Sequence, residues 1–287
     1  MSDKGVYKSK GDPIRELFNV SKPVIGVVHS KALPGSPKYD GEPLSKIYEF
    51  AINEAKKYEE GGANGIIVEN HGDIPFSKPE DIGPETIAAM SVMTDYVKRN
   101  TSLPVGVNFL ANAPIPALSV AHASQSSFIR VNQWANAYVA NEGFIEGEAA
   151  KATRFRSWIR ARNIKIFADV HVKHGAHAIV ADRSIPEMAR DAEFFDADVL
   201  IATGQRTGDS AQTDEVLEIA SGSQLPVVIG SGVTKENAAD LLAVADGLIV
   251  ASSLKEDGVW WNPVSVAKVK ELMKVVADVR KKTDKNG

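Results

Sequence analysis

Eight short apolar runs, at residues 24–28, 65–68, 104–108, 128–132, 164–169, 198–203, 227–229 and 248–250, constrain this chain more than any other feature. Each is too short for a helix, is rich in Val and Ile, and is bounded by turn residues, so each reads as a strand buried on both faces of a parallel sheet. Most are separated by helical patterns. Strand and helix in regular alternation argue for a single (β/α)8 barrel of the TIM type, and 287 residues suit one such domain. A doubly wound open sheet is the runner-up. Against it, no G-x-G-x-x-G opens the first helix, and the glycine-rich phosphate-like loops fall at the end of the chain.

The expected organisation is an arm and short helix over residues 1–22, the barrel over 23–280, and a frayed tail over 281–287. Ile14, Leu17 and Phe18 share one side of the short helix and would close the bottom of the barrel. A Pro- and Gly-rich loop follows the first strand. Pro84 opens a helix reaching Arg99, residues 111–127 form a shorter connection of small residues, and a long loop through Gly143 and Gly147 leads to a basic helix over 149–161. Ser184 with Glu187 makes a capping box, and Thr213 caps the next helix. Trp260 and Trp261 read as packing under the last helix.

The stretch PVVIGSGVTKENAADLLAVADGLIVASSL, residues 226–254, supplies the last two strands, each followed by a loop of small residues. Gly230, Ser231 and Gly232 after one, and Ser252 and Ser253 after the other, would aim backbone N–H groups at a single anion. Thr234 is the expected cap of the helix between them. Phosphate sites after strands seven and eight recur in barrels of this kind.

Side chains alternate along a strand, so parity indicates which residues point into a barrel. By parity His29 joins Ile25 and Val27; Glu69 joins Ile67; Asn108 joins Gly106; Arg130 pairs with Asn132; and Asp169, His171 and Lys173 share a face. These polar groups gather at the C-terminal strand ends, where barrel active sites lie. Charged groups converging on a dry mouth are costly without partners or a ligand. Asp169, His171, Glu69 and Lys173 are the candidate catalytic residues; His29, Asn108, Arg130, Asn132 and Thr203 are the candidate substrate contacts. An ion pair of Asp169 with Arg130 or Lys173 is the structural alternative. No cofactor is expected. A divalent metal on His29, Glu69, Asp169, His171 or His174 is the lesser reading, since no recognised ligand spacing marks it, and a Schiff base at Lys173 is weaker still.

Composition narrows the classes. A formal net charge of −4 gives no general attraction for nucleic acid or an anionic membrane, and the absence of cysteine removes disulfides and zinc–thiolate sites. No apolar run approaches the roughly 20 residues of a membrane span, and the polar N-terminus lacks a signal-peptide core, so a cytoplasmic protein is expected.

The segments VIGVVHSKALPGSP, GIIVENHGDIPF, VGVNFL, FIRVN, EGFIEGEAA, IFADVHVKH, VVIGSGVTKEN and DGLIVASSLKEDG resemble the BtpA/SgcQ family, from Lys22 to about Leu272. The resemblance implies a TIM-type barrel related to the ribulose-phosphate-binding group. It associates the family by name with photosystem I assembly in cyanobacteria, and other members with nucleosidase-like or sugar-phosphate roles. It brings no agreed catalytic set. One departure is Ala111-Asn112-Ala113-Pro114, where members often carry a polar, Arg-containing segment. The expectation is an enzyme using acid–base chemistry on a small phosphorylated metabolite, a sugar phosphate or a nucleoside-derived compound, of lyase, isomerase or nucleosidase type. The alternative is a non-catalytic assembly factor that keeps the ligand site. A homo-oligomer through the outer helices is the expected partner state.

Overall fold

The computed structural model describes residues 10–204 and 213–283. Its first half runs α1 (Pro13–Phe18), β1 (Val24–His29), α2 (Leu44–Gly61), β2 (Gly65–Glu69), α3 (Pro84–Arg99), β3 (Val105–Asn108), α4 (Pro114–Ala123) and β4 (Phe128–Val131). The second half runs β5 (Ala137–Ala140), β6 (Gly143–Glu146), α5 (Ala149–Trp158), β7 (Lys165–Val170), α6 (Ile185–Phe194), β8 (Val199–Ala202), α7 (Thr213–Gly222), β9 (Val227–Ile229), α8 (Ala238–Val244), β10 (Gly247–Val250) and α9 (Val266–Thr283).

Eight of these strands close into a barrel in the order β1-β10-β9-β8-β7-β4-β3-β2. All its ladders are parallel. The expected (β/α)8 barrel is therefore the observed fold, built from the eight runs read in the sequence.

Two cores follow from the strand period. Inward residues Ile25, Val27, Ile67, Phe128, Phe167, Val199, Ile201, Val228 and Ile249 fill the barrel. Outward residues such as Val28, Val68, Val107 and Ile129 join the helices in a second, larger cluster. As anticipated, α1 closes the bottom: Ile14 and Phe18 join the interior cluster, and the Phe18 ring lies 5.8 Å from that of Phe128 and 6.5 Å from that of Phe167. Glycine is required for space at several strand positions, Gly26 and Gly106 among them. A Cβ on Gly26 would run into the Tyr58 ring of α2, and one on inward-facing Gly106 into the Phe128 ring.

The capping box at Ser184 and Glu187 is present on α6. Three local expectations are corrected. The loop through Gly143 is a two-stranded hairpin, β5 paired antiparallel with β6, because the AYVA and GFIE segments, with their aromatic and β-branched residues, flank a tight turn at Asn141 and Glu142 with Gly143 at φ +99°. The connection over 111–127 contains a full helix, α4. Finally, α8 begins at Ala238 rather than just after Thr234: the Asn237 side chain accepts from Thr234 N–H and donates to the Gly232 carbonyl, and a separate turn, closed by Ala238 N–H on the Thr234 carbonyl, precedes the helix.

Buried polar side chains tie the loops at the C-terminal end together. Asn70, after β2, donates to Asp73 and to the Leu110 carbonyl and accepts from Leu110 N–H; Asp73 in turn accepts from Leu33 N–H. The loops after β1, β2 and β3 are thus one unit. Farther round, Lys255 and Glu54, both 1% exposed, pair at 2.9 Å, and the same Glu54 oxygen accepts from Val264 N–H, fixing the segment after β10 to α2.

Candidate functional site

At the C-terminal mouth of the barrel lies a cavity of about 440 Å³. Its floor is apolar, with Val27 of β1 and Ile249 of β10. Its walls carry His29, Glu69, Asn108, Arg130, Asn132, Lys173 and His174. One side is covered by Tyr138, Ala140, Asn141 and Glu142 of the hairpin. This volume suits a small metabolite.

Parity delivers the strand-end residues together because the ladder aligns them. Partners across neighbouring strands are His29 with Glu69, Glu69 with Asn108, and Asn108 with Arg130. Glu69 accepts from Asn108 Nδ2 on Oε2 at 2.6 Å, and its Oε1 lies 3.0 Å from His71 Nδ1. Burial raises the Glu69 carboxyl, but the neighbouring His71 and His29 imidazoles, and then the Arg130 charge, outweigh it and hold it below the usual range. His29 places Nε2 3.6 Å from Glu69 Oε1 and Nδ1 3.1 Å from the Trp260 carbonyl. Burial pushes its imidazolium down to about 3. The His29 and His71 rings stack at 4.3 Å, and Trp260 meets the His71 ring edge-on at 4.4 Å.

Asp169 is committed elsewhere. Arg130 donates to both its oxygens at 2.9 Å, and Asn132 Nδ2 adds a third bond at 3.1 Å. The Asp169 side chain is fully buried behind Arg130, so the structural ion-pair alternative describes its contacts. Arg130 in turn is held above its ordinary value: desolvation opposes its charge, and Asp169 overcomes that. Two carboxamide oxygens, Asn108 Oδ1 and Asn132 Oδ1, are buried without a hydrogen-bond partner. Both residues line the cavity, where a ligand hydroxyl or N–H would satisfy them.

Lys173 bridges toward the last strands. Its N–H donates to Thr203 Oγ at 3.0 Å, at the end of β8, and its Nζ lies 3.3 Å from Ser231 Oγ. Burial, then the Arg130 charge, lowers its ammonium to about 8. Of the expected phosphate residues, Gly230 and Ser252 line the cavity. Ser231 reaches it through Lys173. Gly232, at φ +68°, and Ser253, whose hydroxyl donates to the Val233 carbonyl, instead shape and join the two loops. Thr203 is wholly buried and acts on the position of Lys173 rather than lining the cavity.

His171 is not brought to this group. β7 ends at Val170 and His171 takes φ +55°, so the alternation of the strand stops before it. Its ring lies 4.0 Å from that of His177 instead. Residues of the loop GQRTG after Gly204 lie outside the described residues. Sequence reasoning also missed His71 and Trp260. His71 follows Glu69 by two positions but belongs to a 3₁₀ turn, His71–Asp73, where strand parity has no meaning. Trp260 contributes its ring and its carbonyl to the mouth rather than packing under α9. The departing segment is structural: Asn112 accepts from Gln133 N–H and donates to the Glu146 carbonyl, fastening the hairpin to the loop after β3.

A profile of the BtpA family matches residues 20–278. The chain belongs to the BtpA family. An uncharacterized protein of Pyrococcus furiosus is 42% identical over 262 residues, covering 91% of this chain and 97% of that protein. The photosystem I biogenesis protein BtpA of Synechocystis is 37% identical over 245 residues, covering 85% and 84%. Among solved structures, thiamine phosphate pyrophosphorylase from Pyrococcus furiosus superposes with a TM-score of 0.55 at 19% identity, covering 90% of this chain and 96% of that one. That last likeness speaks to the fold. Among the described residues, no helix is long and apolar enough to cross a membrane.

Proposed function

We propose that this BtpA-family barrel is an enzyme acting on a small phosphorylated metabolite, a sugar phosphate or a nucleoside-derived compound. The observation that carries the reading is Lys173: a partly buried ammonium held against Ser231, at the edge of a cavity also bordered by Gly230 and Ser252. A partly desolvated cation beside the ends of the last two strands is a strong receptor for a phosphoryl group. β8, which Thr203 follows directly and from there positions Lys173, lies four places from β2 in the ring of eight, so the carboxylate–imidazole group of Glu69, His29 and His71 faces the other end of the ligand. Asn108 and Asn132 offer unmatched acceptors between the two. Chemistry is assigned to the Glu69 end. Asp169 is assigned the positioning of Arg130, and His171 no contact with substrate.

The test is a thermal-shift screen of matched phosphorylated and dephosphorylated metabolites. A ligand at about 100 times its dissociation constant stabilises by about 2.7 kcal/mol, which a melting curve resolves. Shifts confined to phosphorylated members, and lost in Lys173→Met, are expected. Equal shifts with both members of each pair would remove the reading.

A second reading is favoured by the Synechocystis relative, a photosystem I biogenesis protein: an assembly factor whose barrel binds a ligand without turning it over. Binding of a phosphorylated compound that returns chemically unchanged after prolonged incubation with the protein would select it.

A further inference from the structure

We infer that His29, Glu69 and His71 form a binding site for a divalent first-row transition cation, of the zinc, iron(II) or cobalt(II) kind. The donor atoms of the three residues lie within 4.8 Å of one another. Two distances within the group are sharper. Glu69 Oε1 is 3.6 Å from His29 Nε2 and 3.0 Å from His71 Nδ1. Donors bound tetrahedrally at 2.0–2.1 Å are roughly 3.3 Å apart, and these values bracket that spacing.

The tautomer supplies the second argument. His29 Nδ1 faces the Trp260 carbonyl at 3.1 Å, and a carbonyl only accepts, so Nδ1 carries the proton. In the neutral ring Nε2 is then a bare lone pair, and what it faces is an oxygen of Glu69. Two lone pairs aimed at each other in a buried place call for a cation between them. A backbone carbonyl on the remaining ring nitrogen is also the usual support of a metal-binding histidine. Glu69 is held in the same manner: Asn108 Nδ2 takes Oε2 at 2.6 Å and turns Oε1 toward the imidazoles. Two imidazoles and one carboxylate suit zinc or iron(II) rather than magnesium or calcium, which favour all-oxygen shells. Three protein ligands leave coordination positions, and all three residues line the cavity.

This inference does not depend on the phosphate reading, and its test is kept apart from it. Chelator-treated, full-length protein is titrated calorimetrically with zinc chloride and, in parallel, with cobalt(II) chloride while the visible d–d bands of bound cobalt are recorded. One ion per chain is expected, with the cobalt bands marking nitrogen and oxygen ligation. Binding should be lost in Glu69→Gln and His71→Gln, and weakened about 10- to 100-fold in Asn108→Ala, which frees the carboxylate. Lys173→Met and His171→Ala should bind as the parent does. His71 is partly exposed, so its variant keeps the test open should substitution of buried His29 prevent folding. Failure of the parent protein to bind either ion, or stoichiometric binding that survives in folded His71→Gln and Glu69→Gln, overturns the site. The first result would make the group a protonated ion pair, the second would put the ion elsewhere.

Discussion

At the scale of single residues, the mouth of the barrel divides into groups that are spent and groups that remain available. Asp169 is spent: three hydrogen bonds and complete burial make it the counter-charge of Arg130. Removing one partner of a buried pair leaves the other uncompensated, so Asp169→Asn should lower stability by about 3–5 kcal/mol in urea unfolding. A loss of activity with unchanged stability would instead give Asp169 a direct chemical role. Lys173 is available, and its ammonium titrates at about 8. A lowered lysine value means that the charge is complete below that pH and lost above it. A phosphate monoester has its second pKa at about 6 and is almost wholly dianionic above about pH 7, so the pH dependence near pH 8 belongs to the protein. Affinity for a phosphorylated ligand should fall as pH rises through about 8, and Lys173→Met should flatten the profile. An unchanged affinity across that window in the parent protein would contradict the assignment.

At the scale of elements, the sequence was legible wherever a period persisted. Period two along the strands correctly placed His29, Glu69, Asn108 and Arg130 in one ring, since the ladder carries the alternation to the last paired residue. It failed one residue past β7. The left-handed backbone at His171 breaks the alternation, and nothing in an apolar–polar pattern announces a positive φ at a histidine. His71 and Trp260 escaped for a related reason: both lie in irregular segments whose direction is set by contacts distant in sequence. The hairpin left two short segments with aromatic and β-branched residues around a turn with glycine, and was missed because a loop was expected after a barrel strand. One of its attachments is Asn112, a buried residue whose side chain makes two bonds, to Gln133 N–H and to the Glu146 carbonyl. Asn112→Ala should therefore cost about 1–3 kcal/mol and speed proteolysis at Asn141. No change in cleavage rate would place the hairpin's anchorage elsewhere, for example in the Val139–Ala176 bridge.

At the scale of the whole molecule, a closed barrel of eight parallel strands leaves no sheet edge and brings every strand's C-terminal end to one mouth, so site residues far apart in sequence need no dedicated scaffold. The seam between the last and first strands is reinforced by the buried pair of Lys255 and Glu54. Lys255→Met alone should destabilise by about 3–5 kcal/mol, whereas the double variant with Glu54→Leu should recover much of that loss in a double-mutant cycle. Additive losses would show that the pair does not act as a unit. The central claim concerns the mouth itself: one end of the cavity receives a phosphoryl group, and Lys173 is its receptor. The most direct measurement is a crystal structure of the protein with a phosphorylated metabolite that passes the thermal-shift screen. The account predicts phosphate density within hydrogen-bond distance of Lys173 Nζ and beside Gly230 and Ser252, with the organic part directed toward Asn108 and Glu69. Phosphate density away from Lys173, whether at the Glu69 end or outside the barrel mouth, would contradict it.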